Sequence, residues 1–284
     1  MEEPLNESVG CQSRLVIDHF SDAEAYENTY SDPSPVQHFF SMRLLRVREL
    51  LDRLEGKRVL DVGCGPGVIA ESILKAGNEY TGMDLSPNMI SACTKRLANW
   101  DSAHFLVGRM ENLPFPDRTF DVLLCLGTIE YSDDPVSAIR EFGRVMKERA
   151  VLVISMLNPL SPYRVWHRHA RGLLRARPLG RLGDRGLANL SLARIARRRI
   201  TLEPRLDMIP ERKLVALLQA HRLSVNDAVY YDFNLFLRPL DVMFPSLAML
   251  SASRLESLGR GPLRGLGTAF VLRASKCSPS ADQA

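Results

Sequence analysis

The sequence predicts a doubly wound α/β domain: a seven-stranded sheet with helices on both faces, an N-terminal helical segment and two insertions. Three observations carry this. Arg58 to Ala70 reads as a short buried strand (Val59, Leu60, Val62), a loop with Gly63, Gly65 and Gly67, and then a helix. About seventeen residues on, a second strand, Tyr80 to Met83, ends in Asp84. The runs Phe120 to Leu126 and Val151 to Met156 are apolar without alternation, as parallel strands covered on both faces require.

The elements follow in order. Residues 1 to about 14 are polar and without period, and read as disordered. Leu15 to Tyr30 has helical spacing at Ala23, Tyr26 and Tyr30, with Ser21 as a candidate N-cap. Ser34-Pro35 opens a helix from Val36 to Leu54 with a broad apolar stripe through Phe39, Met42, Leu45, Val47, Leu50, Leu51 and Leu54. The helix after the glycine loop spans Val68 to Ala76. Ser86 and Pro87 cap and start the next, to about Ala98. His104 to Val107 is a third strand, and Asp134-Pro135 opens a helix ending near Met146. After the fifth strand, 158–206 departs from a minimal α/β pattern. The helix Glu211 to Arg222, the strand Val225 to Phe233, a second insertion at 234–266 and the strand Thr268 to Ala274 complete the core.

Composition bounds the answer. At 284 residues and 45% hydrophobic content the chain builds one large domain, and no apolar run reaches the length of a membrane-spanning helix. The acidic N-terminus lacks a signal region, and five scattered cysteines without metal-ligand spacing read as thiols of a reducing cytosol. The net charge of +4 is local: Arg164 to Arg199 holds eleven arginines and one acid, Asp184. That stretch has three readings. It binds phosphates of a nucleic acid, it lies on an anionic membrane surface, or it is a solvated face. Nucleic acid is disfavoured, because only Tyr163 and Trp166 offer stacking surface. Leucines recurring among the arginines, and the phenylalanines, methionines and leucines of 234–266, suit a hydrophobic acceptor or peripheral membrane contact. They equally suit a lid packed on the core or a dimer interface, so monomer and homodimer both stay open.

An acid at the end of the second strand of a β-α-β unit sits where ribose hydroxyls need acceptors. The short G-x-G-x-G form after Asp61 lacks the spacing of a dinucleotide fingerprint. The sequences Val59 to Gly67, Gly82-Met83-Asp84-Leu85-Ser86, Glu111 to Asp117 and Phe120-Asp121 resemble, in type, order and spacing, the class I S-adenosylmethionine-dependent methyltransferases, in particular their ubiquinone/menaquinone-like small-molecule branch. The resemblance covers about residues 45 to 155. It implies a Rossmann-like methyltransferase sheet whose last two strands form a hairpin, with the N-terminal helices (1–44) as a lid, the cofactor core at 45–157, the arginine-rich insertion at 158–206, a C-terminal part of the core at 207–276 and a tail at 277–284; for Leu15 to Tyr30 a surface helix packed on the core is the equal alternative.

The same resemblance implies S-adenosylmethionine as cofactor, S-adenosylhomocysteine as product and no metal. Asp61, Gly63, Gly65 and Gly67 would hold the methionine part, Asp84 the ribose, and Leu85 the adenine; Cys64, Met110, Glu111 and Leu126 complete the set. Arg109 stands where relatives usually carry an acid that accepts from the adenine amino group, and an arginine accepts nothing. Glu130 and Tyr131, in the loop after the fourth strand, and His38 are the candidates for moving a proton. For Glu130 a carboxylate satisfied by backbone donors, and for His38 a packing or surface role, remain alternatives. Tyr26, Tyr30, Phe39, Tyr163 and Trp166 are the candidate acceptor contacts. The function expected is O- or C-methylation of a hydrophobic small molecule by a cytoplasmic enzyme, peripheral at a membrane in one reading. RNA or protein methylation, or cofactor binding without turnover, are the alternatives.

Overall fold

The computed structural model describes residues 11–30, 34–51, 54–176, 204–234, 236 and 244–277. Seven strands form one sheet: β1 (Arg58–Val62), β2 (Glu79–Asp84), β3 (Ala103–Val107), β4 (Phe120–Leu126), β5 (Met146–Leu157), β6 (Leu223–Tyr231) and β7 (Ala269–Lys276). Their order is β3-β2-β1-β4-β5-β7-β6. The first five are parallel where they pair, and β7 runs antiparallel between β5 and β6. The chain therefore reverses its direction of winding between β1 and β4, where a doubly wound sheet opens a crevice.

Alternation along β4 and β5 divides the core. Leu123, Cys125, Leu152, Ile154 and Met156 pack under α6 (Pro135–Val145) and α8 (Glu211–Ala220). Val122, Leu124, Leu126 and Val153 pack on the other face, under α3 (Pro35–Leu50), α4 (Ala70–Lys75) and α5 (Pro87–Arg96). Local chemistry sets the helix starts. Ser34 Oγ accepts from Gln37 N–H, and Asp134 Oδ1 accepts from the N–H groups of Val136 and Ser137. Ser86 occupies the N-cap of α5 but its hydroxyl donates elsewhere, to the Phe20 carbonyl at 3.1 Å.

Four expectations need correction. The N-terminal segment is two helices, α1 (Cys11–His19) and α2 (Ala23–Asn28), and α2 is capped by Asp22, whereas the Ser21 hydroxyl closes α1 on the Asp18 carbonyl. Residues 11–14 belong to α1 because tertiary contacts hold them: Gln12 exchanges two hydrogen bonds with the backbone of Arg205, and Ser13 is buried. The buried side chains of α3 are Arg43, Val47 and Leu50, with Phe39 half-buried beside them, while Leu45 is exposed. Met146 pairs with Phe120, so β5 starts five residues earlier than its apolar run.

The first insertion opens with α7 (Pro162–Ala176); the rest of its arginine-rich run, 177–203, lies outside the described residues. The second contributes α9 (Pro245–Leu255) and two 3-10 turns, Glu256–Arg260 and Arg264–Leu266. Glu256 fixes that segment by an ion pair with Arg46 of α3 at 2.9 Å. No helix among the described residues is long and apolar enough to cross a membrane.

Candidate functional site

The crevice at the carboxyl ends of β1, β2 and β4 is a partly open cavity of about 100 Å³. The glycine loop forms its floor. Gly63 and Cys64 both donate to the Met83 carbonyl, at 2.7 and 3.1 Å, which bends the chain back over β2. Gly63, Gly65 and Gly67 all have positive φ. A Cβ on Gly63 would lie 2.1 Å from Thr128 Cγ2, and one on Gly67 2.8 Å from Cys93 Sγ. Gly67 thus lets the loop pack on α5 and does not line the cavity.

Two carboxylates frame the floor. Asp84 Oδ2 accepts from Gly65 N–H and Oδ1 from Ser86 N–H, both at 2.9 Å. Each oxygen keeps a lone pair for a further donor. Burial raises the Asp84 carboxyl above its ordinary value, against the pull of the Ser86, Gly65 and Leu85 backbone donors. Asp61 Oδ2 accepts from the buried Tyr80 hydroxyl at 2.7 Å, while Oδ1 has no hydrogen-bond partner among the described residues. Burial pushes Asp61 up to about 7, with Tyr80 and Arg43 opposing the rise and Asp84 adding to it.

The missing counter-charge comes from α3. Arg43, only 5% exposed, donates to the Leu126 carbonyl at 3.1 Å and to the Tyr30 hydroxyl at 2.8 Å, and its guanidinium lies 4.7 Å from the Phe40 ring centre. Gly127 makes room for it, since a Cβ there would sit 2.4 Å from Arg43 Nη1. An aromatic wall continues from this point. Tyr30 stacks on Phe40, Tyr26 lies edge-on to Tyr30 and Phe20, and Phe20 is edge-on to Tyr131 at 5.3 Å.

Of the residues expected from sequence, Asp61, Gly63, Cys64, Gly65, Asp84, Leu85, Met110, Glu111, Leu126, Tyr26, Tyr30 and Tyr131 line this cavity. The structure places the others elsewhere. Glu130 sits in a single 3-10 turn, Ile129–Tyr131, which sends Tyr131 to the cavity and Glu130 into the protein. There burial pushes its carboxyl up to about 7 against the pull of its own backbone N–H, Arg43 and Arg164, and Oε2 has no partner among the described residues. The Glu130 carbonyl, in turn, accepts from Asp207 N–H.

His38 is on α3 beside Asp232, with Nε2 buried and without a partner among the described residues. Phe39 packs on Tyr231 at 5.3 Å; Tyr163 stacks with His167, and Trp166 is 47% exposed. These four are not at the cavity. Sequence reading missed Arg43, Tyr80, Thr128 and Ser13. Nothing in the sequence sets Arg43 apart from Arg46 and Arg48 on the same helix.

Residues 60–154 match the family model described as a methyltransferase domain. That segment, from β1 to β5, is a methyltransferase domain. Over 152 residues the chain is 32% identical to the ubiquinone biosynthesis O-methyltransferase of Alkalilimnicola ehrlichii, covering 51% of this chain and 62% of that protein. To the Proteus mirabilis protein of the same name it is 31% identical over 146 residues, 50% and 59% of the two chains. The chain thus spans about 60% of the length of these curated relatives. Methyltransferases solved from Thermotoga maritima (TM-score 0.60, 19% identity, covering 93% of this chain and 99% of that one) and Mesorhizobium loti (0.53, 18%, 81% and 96%) share the fold.

The residues around the cavity fit the cofactor. Asp61 Oδ1 is a buried acceptor in want of a cation, Arg43 a buried cation on the same wall, Asp84 a pair of ribose acceptors, and Gly65 leaves its surroundings open to within 3.6 Å of Tyr26. Among the described residues no group of three or more His, Cys, Asp or Glu side chains could hold a metal.

Proposed function

We propose that this chain transfers a methyl group from S-adenosylmethionine to oxygen or carbon of a hydrophobic small molecule. The observation that carries the cofactor assignment is the pairing of Asp61, with its unpartnered Oδ1, and Arg43 across the glycine loop. Asp61 takes the ammonium of the methionine end, Arg43 its carboxylate, Asp84 the ribose hydroxyls, and Leu85 and Met110 give apolar surface to the adenine. Bound there, the cofactor supplies a methyl group on a sulfonium that leaves without needing a proton.

The protein's own contribution is alignment and dryness. Phe20, Tyr26, Tyr30 and Tyr131 form the cover that keeps water from the reacting end. Glu130, held near neutrality by burial, is the group behind that end able to store a proton released by an acceptor hydroxyl. The hydrophobic class is supported by the names of the curated relatives. It is also supported by exposed apolar side chains on the two insertions, Leu160 just before α7, Trp166 on it, and Leu247 and Leu250 on α9, which follow strand ends on the cavity's side of the sheet.

Two measurements test the reading. Isothermal titration with S-adenosylhomocysteine should give saturable heat that Asp84→Ala abolishes. Methyl-tritiated S-adenosylmethionine, incubated with a lysate of the source organism, should label the organic-soluble fraction. Label confined to RNA or protein would overturn the acceptor class, and no saturable heat would overturn the cofactor.

A further inference from the structure

The residue that departs most from what an adenine site needs, Arg109, is engaged in something else. Its Nη1 donates to Ser13 Oγ at 2.8 Å and its Nη2 to Asp133 Oδ2 at 2.8 Å, and Nε lies 3.5 Å from Glu111 Oε2. Ser13 Oγ in turn donates to Asp133 Oδ2 at 2.6 Å. Glu111 Oε1 accepts from Ser132 Oγ and from Asp133 N–H, at 2.6 and 3.1 Å. One guanidinium therefore joins three separate parts of the chain: α1, the segment after β3 and the loop after β4. All three border the cofactor cavity, through Ser13, Arg109, Glu111 and Ser132. Without the arginine, Asp133 and Glu111 would face each other across the rim as uncompensated acids, and α1 would lose its charged anchor on the core.

We propose that Arg109 is a positioning residue that clasps α1 over the adenine end of the cavity, so that release of the bound nucleoside requires breaking this clasp. The proposal rests on the cofactor reading above. The geometry gives it a direction. Met110, the neighbour of Arg109, lines the cavity with Gly108 and Leu85, while the arginine reaches across the rim to the helix that closes it. The two charged partners are only partly shielded, at 23% and 29% side-chain exposure for Arg109 and Asp133, so salt reaches the clasp. The clasp also has a mechanical extension: Gln12, next to Ser13, pairs with the backbone of Arg205, where the described chain returns from the first insertion. Opening α1 thus pulls on the segment that carries Asp207, itself hydrogen-bonded to the Glu130 carbonyl.

The test combines hydrogen exchange of α1 with dissociation kinetics of S-adenosylhomocysteine in wild type, Arg109→Met, Arg109→Lys and Ser13→Ala. Arg109→Met should speed exchange of the α1 amides and dissociation of the ligand, each by about tenfold, with the exchange of β1 and β4 amides unchanged. Arg109→Lys, which keeps the charge and loses the fork, should fall between. Raising the ionic strength from about 0.05 to about 0.5 M should speed dissociation from wild type and not from Arg109→Met, a response that a purely packing role would not produce. Binding with unaltered dissociation and unaltered α1 exchange in Arg109→Met overturns the proposal alone. Wild-type protein that gives no saturable binding overturns the cofactor reading and the proposal with it.

Discussion

The hydroxyl of Tyr80 donates to Oδ2 of Asp61 at 2.7 Å, and both residues are buried between β1 and β2, whose strands pair Asp61 with Gly82. A phenol supplied from the neighbouring strand leaves one oxygen of Asp61 for a ligand and fixes the carboxylate plane. The arrangement also sets a proton balance. Burial raises the Asp61 value to about 7, above that of the unfolded chain, so the folded protein holds this proton more tightly. Its contribution to stability is full below about pH 4 and is lost as pH rises through about 7.

A pH dependence of binding follows. A ligand ammonium needs Asp61 ionised, so below about pH 7 binding must release a proton. The affinity for S-adenosylhomocysteine should fall between pH 8 and pH 6 with a slope approaching about tenfold per unit. Titration in two buffers of different ionisation heat would count the proton. Asp61→Asn should weaken binding and flatten the profile. Tyr80→Phe should move the midpoint upward, because the donor that favours the ionised form is gone.

Arg43 predicts a selective loss. Arg43→Met should weaken S-adenosylhomocysteine by about 10–100-fold, the range for a charged hydrogen bond in a buried site. The affinity for methylthioadenosine, which has no amino-acid end, should hardly change. Equal losses for both ligands would show that Arg43 only supports the fold, through Leu126 and Tyr30.

What the sequence made legible was local. The glycine loop, Asp84 and the apolar strands each carry their signal within a few residues, because backbone conformation and two-sided burial constrain the residue types directly. What it hid depends on contacts between distant segments. Arg43 reads as one of the basic residues flanking a helix until Leu126 and Tyr30 are seen around it. Ser13 lies in a polar terminus, and its partners, Asp133 and Arg109, are about a hundred residues away. Glu130 and Tyr131 are neighbours in sequence, yet one turn of 3-10 helix sends them to opposite sides.

Gly63→Ala tests the floor of the site. The new Cβ would meet Thr128 Cγ2 at 2.1 Å and Oγ1 at 2.3 Å, at a backbone φ of +74°. The threonine is on the loop that follows β4, so relief requires moving the opposite wall of the cavity. A loss of about 1–3 kcal/mol is expected in thermal unfolding. Thr128→Ala in the same chain should restore only part of it, because the unfavourable φ remains.

Glu130→Gln separates charge from shape. In wild type the carboxyl is raised to about 7 by burial, so the folded state again binds its proton more tightly than the unfolded chain. Its stabilising share is present below about pH 4 and vanishes as pH rises through about 7. The amide is never charged, so at pH 8 the variant should be more stable than wild type by about 1–3 kcal/mol, and near pH 5 the two should converge. Unfolding curves at both pH values read this without any acceptor. In label transfer to the organic fraction the same variant should lose the rise in rate through pH 7, if Glu130 takes the acceptor's proton. An unchanged pH–rate profile in a variant that gains the expected stability would assign the carboxylate to the fold and return the proton to solvent.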